Sequence, residues 1–111
     1  MKYFMVAIEA LDAGDELKLS NLLGEHSFGF WHRLQGVWII ITSNEITSSG
    51  LLDLIHKATK DKNMIAAEFS DSNISLNVPS EYGEWFVKHL NLSEAEYPEG
   101  GEKALVHATQ K

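Results

Sequence analysis

The sequence predicts an α+β domain of the ferredoxin-like class, a split βαβ fold in which strand, helix, strand, strand, helix and strand follow one another. Three observations predict it: an apolar first segment, a tight hairpin near residue 36, and an amphipathic helix soon after. An extra C-terminal strand and helix follow this core. With 111 residues, we expect a single domain over 1–90 and a flexible acidic tail over 91–111.

The first two elements are predicted before residue 26. Lys2 to Ala10 has apolar residues at both alternating positions, which is typical of a central strand. A helix is expected from Leu11 to Glu25, because Asp12 and Asp15 suit a helix start and Gly24 suits its end. Its buried stripe is predicted to consist of three leucines: Leu17, Leu22 and Leu23.

The hairpin is the strongest local signal. Phe28 to Leu34 and Val37 to Thr42 are β-type runs separated by Gln35 and Gly36, and glycine supplies the positive φ that a two-residue turn needs. The second of these strands is apolar at both alternating positions.

The remaining elements follow from spacing and capping. Thr47 and Ser48 offer N-caps to a helix that is expected to end between residues 60 and 63. Its apolar residues recur at i, i+3, i+4 and i+7: Leu51, Leu54, Ile55 and Ala58. The later elements are predicted as strands over Met64 to Phe69 and Ile74 to Val78, and a helix over Glu81 to Leu90 capped by Ser80.

Two helices can cover only one face of such a sheet, whereas two central strands place apolar side chains on both faces. A second copy of the chain or the last helix has to cover the other face, and we expect a homodimer through this open face. The predicted interface residues are Tyr3, Met5, Trp31, Trp38 and Ile40.

Composition excludes several classes of protein. Without cysteine there are no disulfides and no thiolate metal sites. The longest apolar run, Val37 to Ile41, is too short to span a bilayer, and the N-terminus lacks signal-peptide features, so we expect a cytoplasmic protein without membrane contact. The net charge of −7 disfavours binding to nucleic acid, but suits an acidic surface for a nucleic-acid-binding protein partner.

Four features together resemble the small SinR-named family over Lys2 to Phe69: the strand Phe30-Trp31-His32-Arg33-Leu34, the strand Val37 to Thr42, a helix from Thr47, and Asp61-Lys62-Asn63 before Met64. That family is similar to the ferredoxin-like nuclease-type subunit of the CRISPR adaptation complex, a homodimer with metal-dependent nuclease activity in some members. The resemblance implies an association with nucleic-acid or phage-defence systems. It also implies a magnesium or manganese ligand from an acidic residue that closes the first strand of each subunit.

In this chain that neighbourhood offers Glu9 and, in the following turn, Asp12, where the relatives usually have Asp in a Tyr-Asp pair. Glu9 and its symmetry mate would hold a hard cation through carboxylate oxygen. The alternative, which we favour, is a strand-end carboxylate facing water. For Asp12, Asp15 and Glu16, helix capping and the helix dipole are a sufficient explanation.

The aromatic strands hold the other candidates. His32 suits acid or base chemistry near neutral pH, although its position favours a hydrogen-bonded interface histidine. Trp31 and Trp38 suit stacking on bases, but Arg33 is the one cation interleaved with them, which favours core or interface packing.

These observations favour a non-catalytic homodimeric binding or interaction module that needs no cofactor. Two alternatives stay open. One is a metal-dependent endonuclease that uses Glu9 from both subunits, and the other is a small-ligand enzyme of the dimeric α+β barrel kind with a pocket near His32.

Overall fold

The computed structural model describes residues 1–60, 62–70 and 74–90, and the backbone of residues 103–107. Its elements are β1 (Lys2–Ile8), α1 (Ala13–His26), β2 (Gly29–Leu34), β3 (Val37–Thr42), α2 (Ser48–Thr59), β4 (Met64–Phe69), β5 (Ser75–Pro79), α3 (Ser80–Leu90) and β6 (Lys103–His107). The chain divides into two compact units, Met1–Glu68 and Phe69–Lys111. Over the described ranges, no helix combines the length and apolar character needed to cross a membrane.

The first unit is a small α+β structure around one antiparallel sheet, whose strand order is β2-β3-β1-β4. Both β1 and β2 pair antiparallel with β3, so β1 and β2 run in the same direction on either side of it. The connection through α1 therefore passes over β3, and the connection through α2 passes over β1.

The predicted hairpin between β2 and β3 is confirmed. Gly36 has φ +74°, and a Cβ atom at this position would lie 2.9 Å from the backbone oxygen of Ile8, so a side chain has neither the conformation nor the space it needs. The pairing register shifts between Trp31 and Leu34. This irregularity interrupts the simple alternation of faces along β2.

The first helix differs from its prediction in its bounds and in its buried residues. It begins at Ala13 instead of Leu11 and continues to His26, two residues beyond Gly24, and Leu17 is 64% exposed instead of buried. The buried residues are Leu19 and Leu23, whose i, i+4 spacing points both towards the sheet. The predicted capping role of Asp12 is confirmed, since its side chain accepts a hydrogen bond from the backbone N–H of Asp15 at 2.7 Å.

The second helix agrees closely with its prediction. Thr47 is the N-cap and its Oγ1 accepts a hydrogen bond from the backbone N–H of Gly50 at 3.0 Å. Leu51 and Ile55 are buried, and the helix ends at Thr59. Lys60, with φ +48°, then turns the chain out of the helix.

The core lies between these helices and one face of the sheet, which we call the covered face. Its cluster of buried residues comprises Phe4, Val6, Ile8, Leu19, Leu23, Trp38, Ile40, Leu51 and Ile55. Every strand and helix of the first unit except β2 and β4 contributes a fully enclosed side chain, and Phe30 of β2 and Met64 of β4 pack against the cluster.

The opposite side, which we call the second face, carries the alternate strand residues: Tyr3, Met5, Ala7, Trp31, Ile39, Ile41 and Ile65. Of these, Trp31, Ile39 and Ile41 are at most 5% exposed in the single chain. Met5 and Ile65 are 47% and 70% exposed. The second face is therefore buried at β2 and β3 and exposed at β1 and β4.

The structure separates the residues predicted to form a dimer interface. Tyr3, Met5 and Trp31 lie on the second face. Trp38 and Ile40 pair with Val6 and Phe4, so they belong to the covered face and are fully buried in the core. The sequence does not distinguish the two sets, because β3 is apolar at every position from Val37 to Ile41.

In the second unit, β5 and β6 form an antiparallel pair with Ser75 opposite His107. Helix α3 follows β5 directly, and Ser80 is its first residue instead of a preceding cap. Phe86 and Leu90 of this helix are buried. The predicted flexible tail over 91–111 lies outside the described residues, apart from the backbone of 103–107.

Candidate functional site

A cleft of about 500 Å³ lies where β1 ends. Three segments that are distant in sequence form it: the end of β1, the β2–β3 turn and the beginning of β4. The lining residues are Ala7, Ile8, Glu9, Gln35, Gly36, Val37, Asn63, Met64 and Ile65. The volume falls in the range of small-ligand sites.

Backbone hydrogen bonds fix these segments relative to one another. The N–H of Ile8 donates to the oxygen of Gly36 at 2.7 Å, and the N–H of Glu9 donates to the oxygen of Asn63 at 2.9 Å. The end of β1 is thereby tied to the hairpin on one side and to the start of β4 on the other. The cleft walls are held by main-chain atoms, so they have a defined geometry.

The chain turns sharply just beyond the cleft. Ala10 has φ +59°, a left-handed conformation that costs a residue with a Cβ atom about 1 kcal/mol or more. Lys62 supports this turn, because its Nζ donates to the backbone oxygen of Ala10 at 3.0 Å and lies 3.7 Å from Oδ2 of Asp15. This conformation places Glu9 at the last position before the chain leaves the sheet.

The side chain of Glu9 is oriented by Asn63. Nδ2 of Asn63 donates to Oε1 of Glu9 at 3.0 Å, and both residues are exposed to solvent. A carboxylate offers about four lone-pair positions, and this bond occupies one of them. The other acceptor positions of Glu9 are available to a ligand that donates hydrogen bonds.

The remaining acidic candidates have structural partners instead. Asp12 caps α1, Asp15 faces Lys62, and Oε2 of Glu16 lies 3.7 Å from Nε2 of His32. Among residues 1–60, 62–70 and 74–90, no group of three His, Asp or Glu side chains is arranged to hold a metal ion. Asp12 is therefore engaged by its capping bond to Asp15, whereas Glu9 is bonded to Asn63, and the two as metal ligands stay a prediction.

His32 is part of a stacked aromatic group. Its ring lies parallel to that of Trp38, with centroids 3.7 Å apart and an interplanar angle of 1°. Nδ1 contacts the backbone oxygen of Val37 at 2.9 Å, and because a carbonyl oxygen only accepts, this nitrogen carries the proton. Nε2 of His32 lies 3.7 Å from Oε2 of Glu16, a distance at which a charged ring would form an ion pair but not a hydrogen bond. His32 is not among the residues that line the cleft.

The two tryptophans of the hairpin are buried. Trp38 is fully enclosed between His32 and Phe30, whose ring centroid is 5.8 Å away, and Trp31 is 5% exposed. A base-stacking platform needs exposed ring faces, which neither residue offers. The indole Nε1 of Trp38 is buried and has no hydrogen-bond partner in the described part of the chain.

A second, shallower cleft of about 320 Å³ lies between α1 and α2. Its lining residues are Lys18, Asn21, Leu22, Glu25, Lys57 and Ala58. Two lysines and one glutamate line it, so charges of both signs are present in this cleft.

Sequence reasoning identified Glu9 but missed Asn63, Gln35 and Ile65 as its neighbours. A usable signal was present. In an antiparallel pair the residue after one strand meets the residue before the other, so pairing β1 with β4 places Glu9 beside Asn63.

No family model, no curated protein and no solved structure matches this chain. The resemblance to the SinR-named family, with the association it implies, stays a prediction.

Proposed function

We propose that the protein is a homodimeric interaction module without catalysis of its own, in which a second copy covers the exposed part of the second face. The observation that carries this proposal is the exposure of Met5 and Ile65, 47% and 70%, on the neighbouring strands β1 and β4. Ala7 is also exposed on this face. We call Met5, Ala7 and Ile65 the exposed patch.

Self-association at the exposed patch has a physical basis. Burial of apolar surface is favourable by about 25 cal/mol per Å², and a two-fold axis sets the same patch of each copy against the other. None of the three side chains is charged, so two copies with a net charge of −7 each meet there without burying like charges.

The proposal includes the ferredoxin-like arrangement of the first unit. In each βαβ connection a third strand lies between the two joined strands, β3 in one case and β1 in the other. This order supports the split βαβ plan, in which both helices lie on the covered face and the second face is left for association.

The test replaces single patch residues and measures solution mass. Ile65→Asp or Met5→Asp places a carboxylate in the interface, so we expect a monomer in place of a dimer. Leu17→Asp is the matched control, because Leu17 is 64% exposed on α1 and lies outside the patch. The proposal fails if all three variants have the same mass as the unsubstituted protein.

A second candidate function is a metal-dependent endonuclease in which Glu9 of each of two copies is a ligand of one shared ion, and the open acceptor positions of Glu9 support it. The cleft leaves most of the carboxylate's acceptor positions open, as a magnesium or manganese ligand requires. The protein should then cleave DNA with manganese, and Glu9→Gln should abolish cleavage while the mass stays unchanged. Cleavage by the Glu9→Gln variant would mean that Glu9 is not the metal ligand for this activity.

A further inference from the structure

We propose that the cleft at the end of β1 binds an organic cation, a guanidinium or alkylammonium group on a short apolar stem. The inference goes beyond the interaction module. The cleft shares Ala7 and Ile65 with the exposed patch, so a second copy and a bound ligand compete for these two side chains. It rests on the chemistry of the cleft lining and on the way in which Asn63 orients Glu9.

The carboxylate of Glu9 supplies the charge. Because Asn63 already holds Oε1, the carboxylate keeps a fixed direction before a ligand arrives. Its remaining lone pairs accept the N–H groups of a guanidinium in a bidentate manner, or those of an ammonium singly. The amide of Gln35, in the turn that forms the opposite lip, adds a further polar group.

Within a single chain, the lining favours an organic cation over a hydrated metal ion. Asn63 presents its NH₂ group to Glu9, so its oxygen is not shared with the carboxylate as a second metal ligand. The described residues contain no cluster that would complete a metal site. An ion with a strongly held water shell also gains little from apolar walls.

Those apolar walls suit the stem of the ligand. Val37, Met64 and Ile65 line the cleft beside Glu9, and Ile65 is 70% exposed. A ligand stem of three or four methylene groups is stabilised by contact with such side chains, because apolar surface of both is removed from water. The volume of about 500 Å³ accommodates a group of this size.

No cation in the described part of the chain already neutralises the site. None of the nine lining residues is basic. Lys62 is the neighbouring base in sequence, and its Nζ is held by the oxygen of Ala10 and by Asp15. The charge of Glu9 is therefore left for an incoming ligand.

The experiment titrates the protein with n-butylguanidine and follows backbone amide shifts by NMR. We expect saturable shifts at Glu9, Gly36 and Asn63, and no such shifts with the uncharged n-butanol. Glu9→Gln should weaken binding by about tenfold or more, because it removes the charge and keeps the shape. Glu25→Gln is the control, since this exposed carboxylate lines the cleft between α1 and α2.

Two further arms identify the source of the cation and separate this inference from the proposed function. Tighter binding of a blocked Gly-Arg-Gly peptide than of n-butylguanidine assigns the site to an arginine of a partner protein, and weaker binding assigns it to a small molecule. Met5 does not line the cleft, so Met5→Asp should bind n-butylguanidine at least as tightly as the unsubstituted protein, because a dissociated chain leaves Ala7 and Ile65 uncovered. The inference is overturned if n-butylguanidine causes no saturable shifts, or if Glu9→Gln binds it as tightly as the unsubstituted protein.

Discussion

The two faces of the four-stranded sheet carry the same kinds of apolar residue but differ in how far these residues are buried. On the covered face, Phe4 and Val6 are fully buried beneath two helices. On the second face, one position along from each, Met5 is 47% exposed and Ala7 is exposed as well. Adjacent apolar residues of β1 thus lie on opposite faces, one set in the buried core and the other at an exposed apolar surface.

The difference shows that apolar character alone does not determine burial. The covered face is complete because α1 and α2 supply Leu19, Leu23, Leu51 and Ile55. The second face is buried at Ile39 and Ile41 and open at β1 and β4. An open apolar region on adjacent strands is typical of a surface that associates, which is why we assign the interaction to that side.

The largest expected effect comes from a pair of adjacent substitutions. Phe4→Ala should lower the free energy of unfolding by about 3–5 kcal/mol, because it leaves a cavity in the core. Met5→Ala should lower it by less than Phe4→Ala does, because the side chain is 47% exposed in the single chain and only the interface with a second copy would bury the rest. Urea denaturation measures both. Equal losses would contradict the distinction between the faces.

A smaller effect is expected at the helix that completes the covered face. Asp12→Ala removes the hydrogen bond to the N–H of Asp15 and should cost about 1 kcal/mol. Asp53→Ala, an exposed position within α2 that caps nothing, is the control for loss of a carboxylate. A cost at Asp12 no greater than that at Asp53 would mean that capping does not stabilise α1.

The smallest effect concerns the loop that connects β3 to α2. The pKa of Glu45 is lowered. The main cause is a hydrogen bond from the Ser43 side chain, and the second is a hydrogen bond from the backbone N–H of Glu45 itself. A lowered pKa in the folded state stabilises the protein above the unfolded pKa, and this contribution is lost as the pH falls through the folded value. Ser43→Ala should raise the pKa of Glu45 in an NMR titration, and an unchanged value would exclude the side-chain bond as the main cause.

Much of this structure could be predicted from local sequence signals. The strands Val37–Thr42 and Met64–Phe69 agree with their predictions, and so do the Gly36 turn and the caps at Asp12 and Thr47. Each depends on residues within a few positions of one another.

The faces on which the β3 side chains lie and the set of residues that line the cleft could not be predicted from such local signals. Trp38 and Ile40 were assigned to an interface, but β3 is apolar at both parities, so only its pairing with Phe4 and Val6 reveals their side. The register shift between Trp31 and Leu34 cannot be predicted from the alternation of apolar and polar residues. Glu9 and Asn63 are 54 positions apart, and only tertiary structure brings them together.

The central claim is that the second face is completed by another copy of the chain. Light scattering of the unsubstituted protein across a dilution series tests it most directly. We predict a mass of two chains that persists on dilution and that Ile65→Asp reduces to one. A mass of one chain at every concentration would contradict the claim, since the exposed patch would then be a stable surface of the monomer.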